Sequence, residues 1–237
     1  MTKMKFKNYK STFIKLDEIR NSSDKEKYFF YSNRYYYKSI KELREIPKTP
    51  LAYWISDVLL ESFKSGKNIG TTILDMISGN KTANNDKYIR FNWEVDSEKI
   101  NNKWYLYAKG GQYRKWYGNI DTIIDWSNEA RSFYKNNKTS NLINAKYWFK
   151  SGISYTDLTS KSFNGRLLDN RMLFDMSGPA LLIEDDKLRT YVMALLNSCV
   201  GSNILSMLNS SFHVKLNDIA RVPYKEVDEK KENTINK

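Results

Sequence analysis

KWYLYAKGGQYRKWYGN, residues 103–119, is the stretch on which the reading of this chain turns. KWYLYA (103–108) packs aromatic and aliphatic residues at the density of a strand, and Gly110-Gly111 stops it. The same grammar continues outward in both directions. YIRFNWEV (88–95) precedes it, and TIIDW (122–126), YWFK (147–150), MLFDM (172–176) and ALLI (180–183) follow, each read as a short strand. Gly118, Gly152, Gly165 and Gly178 punctuate them. Short strands separated by longer glycine-marked connections predict a mixed β-sheet with long loops.

Helices are expected on either side. Ile55, Val58, Leu59, Leu60 and Phe63 fall mostly at helical spacing and predict a helix from Ala52 to Lys64, stopped by Gly66. A second short helix is expected from Ile69 to Ser78, before Gly79. Leu188, Val192, Leu195, Leu196, Cys199, Val200, Ile204 and Leu208 form the apolar stripe of one long amphipathic helix from Asp185 to Leu208. FHVKL (212–216) alternates as a strand. Upstream, FIKL (13–16) is a strand candidate, and YFFYSNRYYYKSI (28–40) is strand-like with a turn at Ser32-Asn33. Pro47 and Pro50 end that part. The fold class is α+β: a connecting segment over 1–49, one domain over 50–224, and a charged, frayed tail over 225–237.

A chain of 237 residues with 41% hydrophobic composition can bury a substantial core, roughly 70–75% of its unfolded surface. No apolar run of about 18 residues exists, so no membrane span is expected, and the start lacks the apolar stretch of a secretion signal. One cysteine excludes an internal disulfide framework and suits a reducing cytoplasm. The net charge is +12, and its placement is informative. Lys99 to Ile120 holds five bases, six aromatics and no acid, where average acid density gives about two or three acids. Lys27 to Lys41 and Ala130 to Thr156 are also free of acids. Positive potential interleaved with rings suits a polyanion whose bases offer flat faces.

Signs of catalysis are missing. The only histidine, His213, sits in an apolar alternating stretch, and Cys199 lies on an apolar helix face. No cysteine–histidine cluster, GxG turn, phosphate loop or NPPY-type motif occurs. The only ExK, Glu229 to Lys231, is in the tail. The chain is read as non-catalytic, without metal or cofactor.

Six strings together resemble the C-terminal half of the adenine-specific DNA methyltransferases of BREX phage-defence systems, the PglX family. They are IPKTPLAYWIS (46–56), GNKTANNDKYIRFNWEV (79–95), KWYLYAKGGQYRKWYGN (103–119), SGISYTDLTSKSFNGR (151–166), FDMSGPALLI (174–183) and LLNSCVGSNILSMLNSSFHVKLNDIARVP (195–223). More loosely they resemble the specificity domains of Type IIG restriction-modification enzymes. GGQYRKWYGN and the LLNS…NDIARVP ending are the most specific, and the chain departs from the family's pattern at Ala83, where a glycine is usual. The resemblance implies a target-recognition domain that holds double-stranded DNA for a methyltransferase catalytic domain or subunit. That catalytic part would bind S-adenosylmethionine, and other defence-system subunits are further expected partners. Residues 1–49 would follow the missing core.

Residue chemistry then selects the reading candidates. Arginine matches guanine O6/N7 or a phosphate with a planar fork, whereas lysine is a point charge. Arg114, with Lys109, Gly110, Gly111, Lys115, Trp116 and Tyr117, forms one candidate loop, its glycines permitting close approach to a phosphate. Lys81, Thr82, Asn84 and Asn85 form a second, since asparagine can pair with adenine N6/N7. Lys161 and Arg166 in TSKSFNGR form a third. Two other readings compete: an interaction module for an acidic protein, such as a defence subunit or a DNA mimic, and a small nuclease with a cryptic site.

Overall fold

A computed structural model of the chain describes residues 9–31, 35–64, 67–73, 75–159, 162–209 and 211–225. It divides into two compact units, residues 1–67 with 225–237, and residues 68–224. The fold is α+β.

In the first unit β1 (Ser11–Ile14) pairs antiparallel with β2 (Tyr35–Lys38), between them α1 (Ser22–Tyr31). Phe13 stacks on Tyr53 with ring centroids 4.6 Å apart, and the Tyr53 hydroxyl donates to Ile14 O. Ser39 caps the short α2 (Ile40–Leu43) in a reciprocal box with Glu42. The Ser39 backbone and hydroxyl hydrogen bonds hold the Glu42 carboxyl below its ordinary pKa. α3 (Asp57–Lys64) closes the unit's described elements.

The second unit opens with α4 (Ile69–Thr72), β3 (Met76–Ile77), α5 (Asn85–Tyr88) and β4 (Ile89–Phe91). β5 (Trp104–Ala108), β6 (Thr122–Asp125), α6 (Asn128–Asn136) and β7 (Gly152–Ser154) come next. β8 (Arg166–Leu168), β9 (Met172–Phe174), β10 (Ala180–Leu182), α7 (Asp186–Asn197), α8 (Cys199–Leu208) and α9 (Leu216–Ile219) complete it. One sheet runs β3-β10-β7-β8, antiparallel throughout. The other runs β4-β6-β5-β9, mixed because β5 and β9 are parallel. Ala108, Met172 and Phe174 from the mixed sheet share one buried cluster with Leu168 and Ala180 from the antiparallel sheet. A second cluster, around Tyr88, Tyr107, Ile124, Trp126 and Tyr134, packs α6 on the mixed sheet. Burial at this scale contributes about 25 cal/mol per Å² of apolar surface, so the two clusters hold the sheets in place.

Several elements differ from expectation. Residues 28–31 are helical, the end of α1, despite their β-prone rings, and the Ser32-Asn33 turn lies outside the described residues. That helix starts where Asn21 Oδ1 accepts the Ser23 N–H, and local capping decides the state. The helix expected from Ala52 begins only at Asp57, with Ser56 Oγ accepting from Leu59 N. Ile69–Thr72 is one turn, followed by strand β3. YWFK forms no strand: Tyr147 ends a 3-10 turn, Ala145–Tyr147, and Phe149 follows at φ 53°. FHVKL makes a single bridge, His213 to Leu158, instead of a strand.

The long helix is two helices, α7 and α8, bent by 69°. Ser198 sits between them in extended geometry and its hydroxyl accepts the Gly201 N–H, restarting the helix as an N-cap. Gly201 is required there, because a Cβ would lie 2.1 Å from Leu195 O. Among the described residues no single helix is long and apolar enough to cross a membrane, and no group of three or more His, Cys, Asp or Glu could hold a metal.

Candidate nucleic-acid interface

β5 and β6 pair in register from Trp104↔Asp125 to Leu106↔Ile123, and residues 109–121 form the long loop joining them. The loop is tightly shaped. Gly111 and Gly118 hold positive φ of 146° and 124°, and Trp116 and Asn119 also sit at positive φ. The Asn119 side chain crosses the loop to donate to Gln112 O at 3.0 Å. A side chain at Gly110 would put its Cβ 2.5 Å from Ser177 O, so only glycine lets the loop meet that turn.

Beneath the loop lies Arg166, first residue of β8. The sequence placed it on a polar reading loop. Instead it is 1% exposed, the bulkiest of the fully buried side chains. Its Nη1 reaches Thr156 Oγ1, Asn164 O, Asn164 Oδ1 and Arg114 O at 3.1–3.4 Å, and its Nη2 reaches Lys109 O at 3.4 Å. The guanidinium therefore ties the first half of the loop together, bonding a carbonyl at its start, Lys109, and one near its middle, Arg114. Trp116 and Arg166 also form a parallel bridge, with Trp116 N–H donating to Gly165 O and Leu167 N–H to Trp116 O. No ion pair to Arg166 occurs among the described residues. Burial, with the nearby Arg114 charge adding to it, pushes its pKa down to about 10, so it stays charged at neutral pH. Arg166 is a support for the loop and is too deeply buried to touch DNA.

A second support is Asn197, the last residue of α7 and 3% exposed. Its amide brackets Gly165, accepting from Gly165 N at 2.8 Å and donating to Gly165 O at 2.9 Å. The Asn197 carbonyl in turn accepts from Lys115 Nζ at 2.6 Å. Lys115 thus spends its charge at a helix C-terminus, a favourable place for a cation.

Among the side chains that do face solvent are Arg114, Trp116 and Tyr117, the last two 49% and 63% exposed. Arg114 has no side-chain hydrogen bond or ion pair among the described residues, and its aliphatic part lies along Gly118. Arg114, Lys109, Gly110, Gly111 and Gln112 line an open cleft of about 290 Å³.

The second candidate loop meets the first at the turn Asp175–Gly178. Asn80 N–H donates to Phe174 O, Met176 N–H donates to Asn80 O, and Gly178 packs against Gly110 N. The Tyr107 hydroxyl lies 2.9 Å from both Asn80 O and Asp175 Oδ2, and burial raises its pKa strongly. Within this loop Thr82 is buried, its hydroxyl bonded to Asn85 Oδ1 at 2.6 Å, while Asn84 caps α5 through Lys87 N. Lys81 alone of these four is exposed with no side-chain partner among the described residues. Lys161 lies outside the described residues. Asn164, Asn197 and Thr156 were missed from sequence, because their roles arise only from tertiary contact.

Ala83, the departure from the family pattern, stands at φ 60°. The left-handed region costs a non-glycine residue about 1–2 kcal/mol, partly offset in the unfolded chain. Ala83→Gly is expected to gain roughly 0.5–1 kcal/mol. Urea unfolding checks this through a higher midpoint at unchanged slope; an unchanged or lower midpoint removes the strain argument.

No family model matches the chain. The adenine-specific methyltransferase PglX of Lacticaseibacillus casei (strain Zhang) is 28% identical over 244 aligned residues, taking in 93% of this chain and 20% of that protein. The adenine-specific methyltransferase BrxX of Escherichia coli O9:H4 (strain HS) is 28% identical over 223, taking in 91% of this chain and 18% of that protein. The chain spans about a fifth of the length of the curated relatives it matches. Over nearly its whole length it is therefore related to one part of the adenine-specific methyltransferases PglX and BrxX.

Proposed function

We propose that this chain recognises double-stranded DNA on behalf of an adenine-specific methyltransferase acting in phage defence. The observation that carries the reading is the 109–121 loop. It presents the guanidinium of Arg114, without a side-chain partner among the described residues, to solvent on a backbone held from below by Arg166. An arginine fixed in this way is prepared for bidentate contact with guanine or phosphate, because its loop need not be ordered on binding. Lys109 and Lys81 add phosphate-seeking charge on either side of the Asp175–Gly178 turn. The relationship to adenine-specific methyltransferases supplies the reaction that such recognition would serve.

We assign S-adenosylmethionine and the chemistry to the rest of such a protein. The glycine pair of this chain, Gly110-Gly111, shares its cleft with Lys109 and Arg114. Their charge opposes the sulfonium of that cofactor, and the glycines serve close packing against Ser177.

The chain is expected to bind duplex DNA at low salt and to do so more weakly as salt rises. Log affinity should fall linearly with log salt, by about 0.9 per neutralised phosphate, from a non-specific Kd of about 10⁻⁴–10⁻⁶ M at physiological salt. Fluorescence anisotropy of a labelled duplex across a salt series measures this. No binding at low salt, or a flat response, defeats the reading; a response to an acidic protein alone would favour a protein-interaction module.

A further inference from the structure

Beside the reading loop sits an aromatic pair that loop chemistry does not explain. Phe91 ends β4 and pairs with Thr122, the first residue of β6, which places it at the mouth of the 109–121 loop. Glu94 Oε2 accepts the Phe91 N–H at 2.7 Å and Asn92 N–H donates to Asp121 O at 2.9 Å, fixing the turn that carries Trp93. The two rings stack face to face, centroids 4.6 Å apart and planes within 5°. Phe91 is nevertheless 46% exposed and Trp93 69% exposed. Rings recruited for a core would be buried; this pair is ordered by its turn and leaves the outer indole face to water.

Phe91 also lines the cleft that holds Lys109, Gln112 and Arg114, with Asp121 as the carboxylate among its lining residues. Flat apolar faces and cations without side-chain partners among the described residues are thereby brought to one opening. That combination fits a nucleotide: the cations meet its phosphate, a ring meets its base. Inside a duplex both faces of a base are covered by neighbours, so a ring can stack only where a base step has been opened or a base has left the stack.

We propose that the Phe91–Trp93 stack is a platform for an unstacked DNA base, adjoining Arg114. The proposal rests on the DNA recognition argued above and adds a preference for duplex with one base out of the helix. The test compares two labelled duplexes of identical sequence, one fully paired and one with a single unpaired adenine, binding to the full chain at low salt. The unmodified chain is expected to prefer the bulged duplex, with quenching of tryptophan fluorescence. Trp93→Ala is expected to lose roughly 5- to 100-fold on the bulged duplex and little on the paired one, and Trp93→Phe to keep most of the preference. Trp93 is a surface residue, and unchanged circular dichroism confirms folded variants. Salt-dependent binding with no preference, or with a preference that survives Trp93→Ala, overturns the platform and leaves DNA recognition standing. No binding to either duplex overturns both.

Discussion

Arg166→Ala is expected to lower the stability of the chain by about 3–5 kcal/mol, from the cavity left in place of a large side chain and the carbonyls left without donors. The acceptors stranded are Lys109 O, Arg114 O and Asn164 O, with Thr156 Oγ1 and Asn164 Oδ1 beside them. Urea unfolding measures the loss. Arg166→Lys keeps the charge but a single ammonium cannot reach both the Lys109 and Arg114 carbonyls, so a smaller cost of about 1–3 kcal/mol is expected. In that variant the amides of Trp116 and Leu167, which pair across the loop and β8, should exchange faster with solvent. The measurement is insensitive to pH near neutrality, because the folded pKa of about 10 and the higher unfolded value both keep the group charged. Between those two values the folded form binds fewer protons, so this group's contribution would rise with pH there. An unchanged unfolding midpoint in Arg166→Ala would show that the loop is held by something else.

Arg114→Ala is expected to leave folding intact and to cost about 1–3 kcal/mol in DNA affinity, with relaxed choice at one base position. Its guanidinium has no internal partner among the described residues, so nothing inside the chain is stranded by its removal. The two neighbouring lysines separate by environment. Lys109, in the cleft, is expected on alanine replacement to weaken all sequences alike and to lower the salt slope by about one. Lys115 is already committed to Asn197 O, so Lys115→Ala should act on stability and leave the salt slope unchanged. Binding-site selection from a random duplex pool, with melting temperature as control, reads all three. A folded Arg114→Ala variant with unaltered affinity and unaltered site preference would reduce the loop to scaffold.

What the sequence shows of this fold follows from where local pattern and tertiary context agree. β5, β6, β9 and β10 are legible because their apolar runs are short, each with a glycine within four residues of one end, and buried on both faces. The α7–α8 break is not, since a serine inside an apolar stripe reads as one more polar helix position until Ser198 is seen capping Gly201. Tyr28 to Tyr31 mislead for the opposite reason, rings with strand propensity in a helix that local capping starts. Within the site, composition pointed to the 109–121 loop, while the division of its cations did not show. Whether Lys115 or Arg166 faces water depends on contacts between residues 52 to 82 positions apart, which no short window along the chain contains.

The way this loop is held bears on which of its side chains can change. Arg166 grips carbonyls at Lys109 and Arg114, and β8 grips the backbone of Trp116. Apart from Lys115 with Asn197, Tyr113 with Ser162 and the Asn119 amide with Gln112 O, the polar supports take hold of main chain, which every amino acid supplies. Gln112, Arg114 and Tyr117 can accordingly be exchanged for other side chains while the loop keeps its shape. Under the proposed DNA recognition, such a loop is suited to acquiring a new target by a few substitutions, with its frame unchanged.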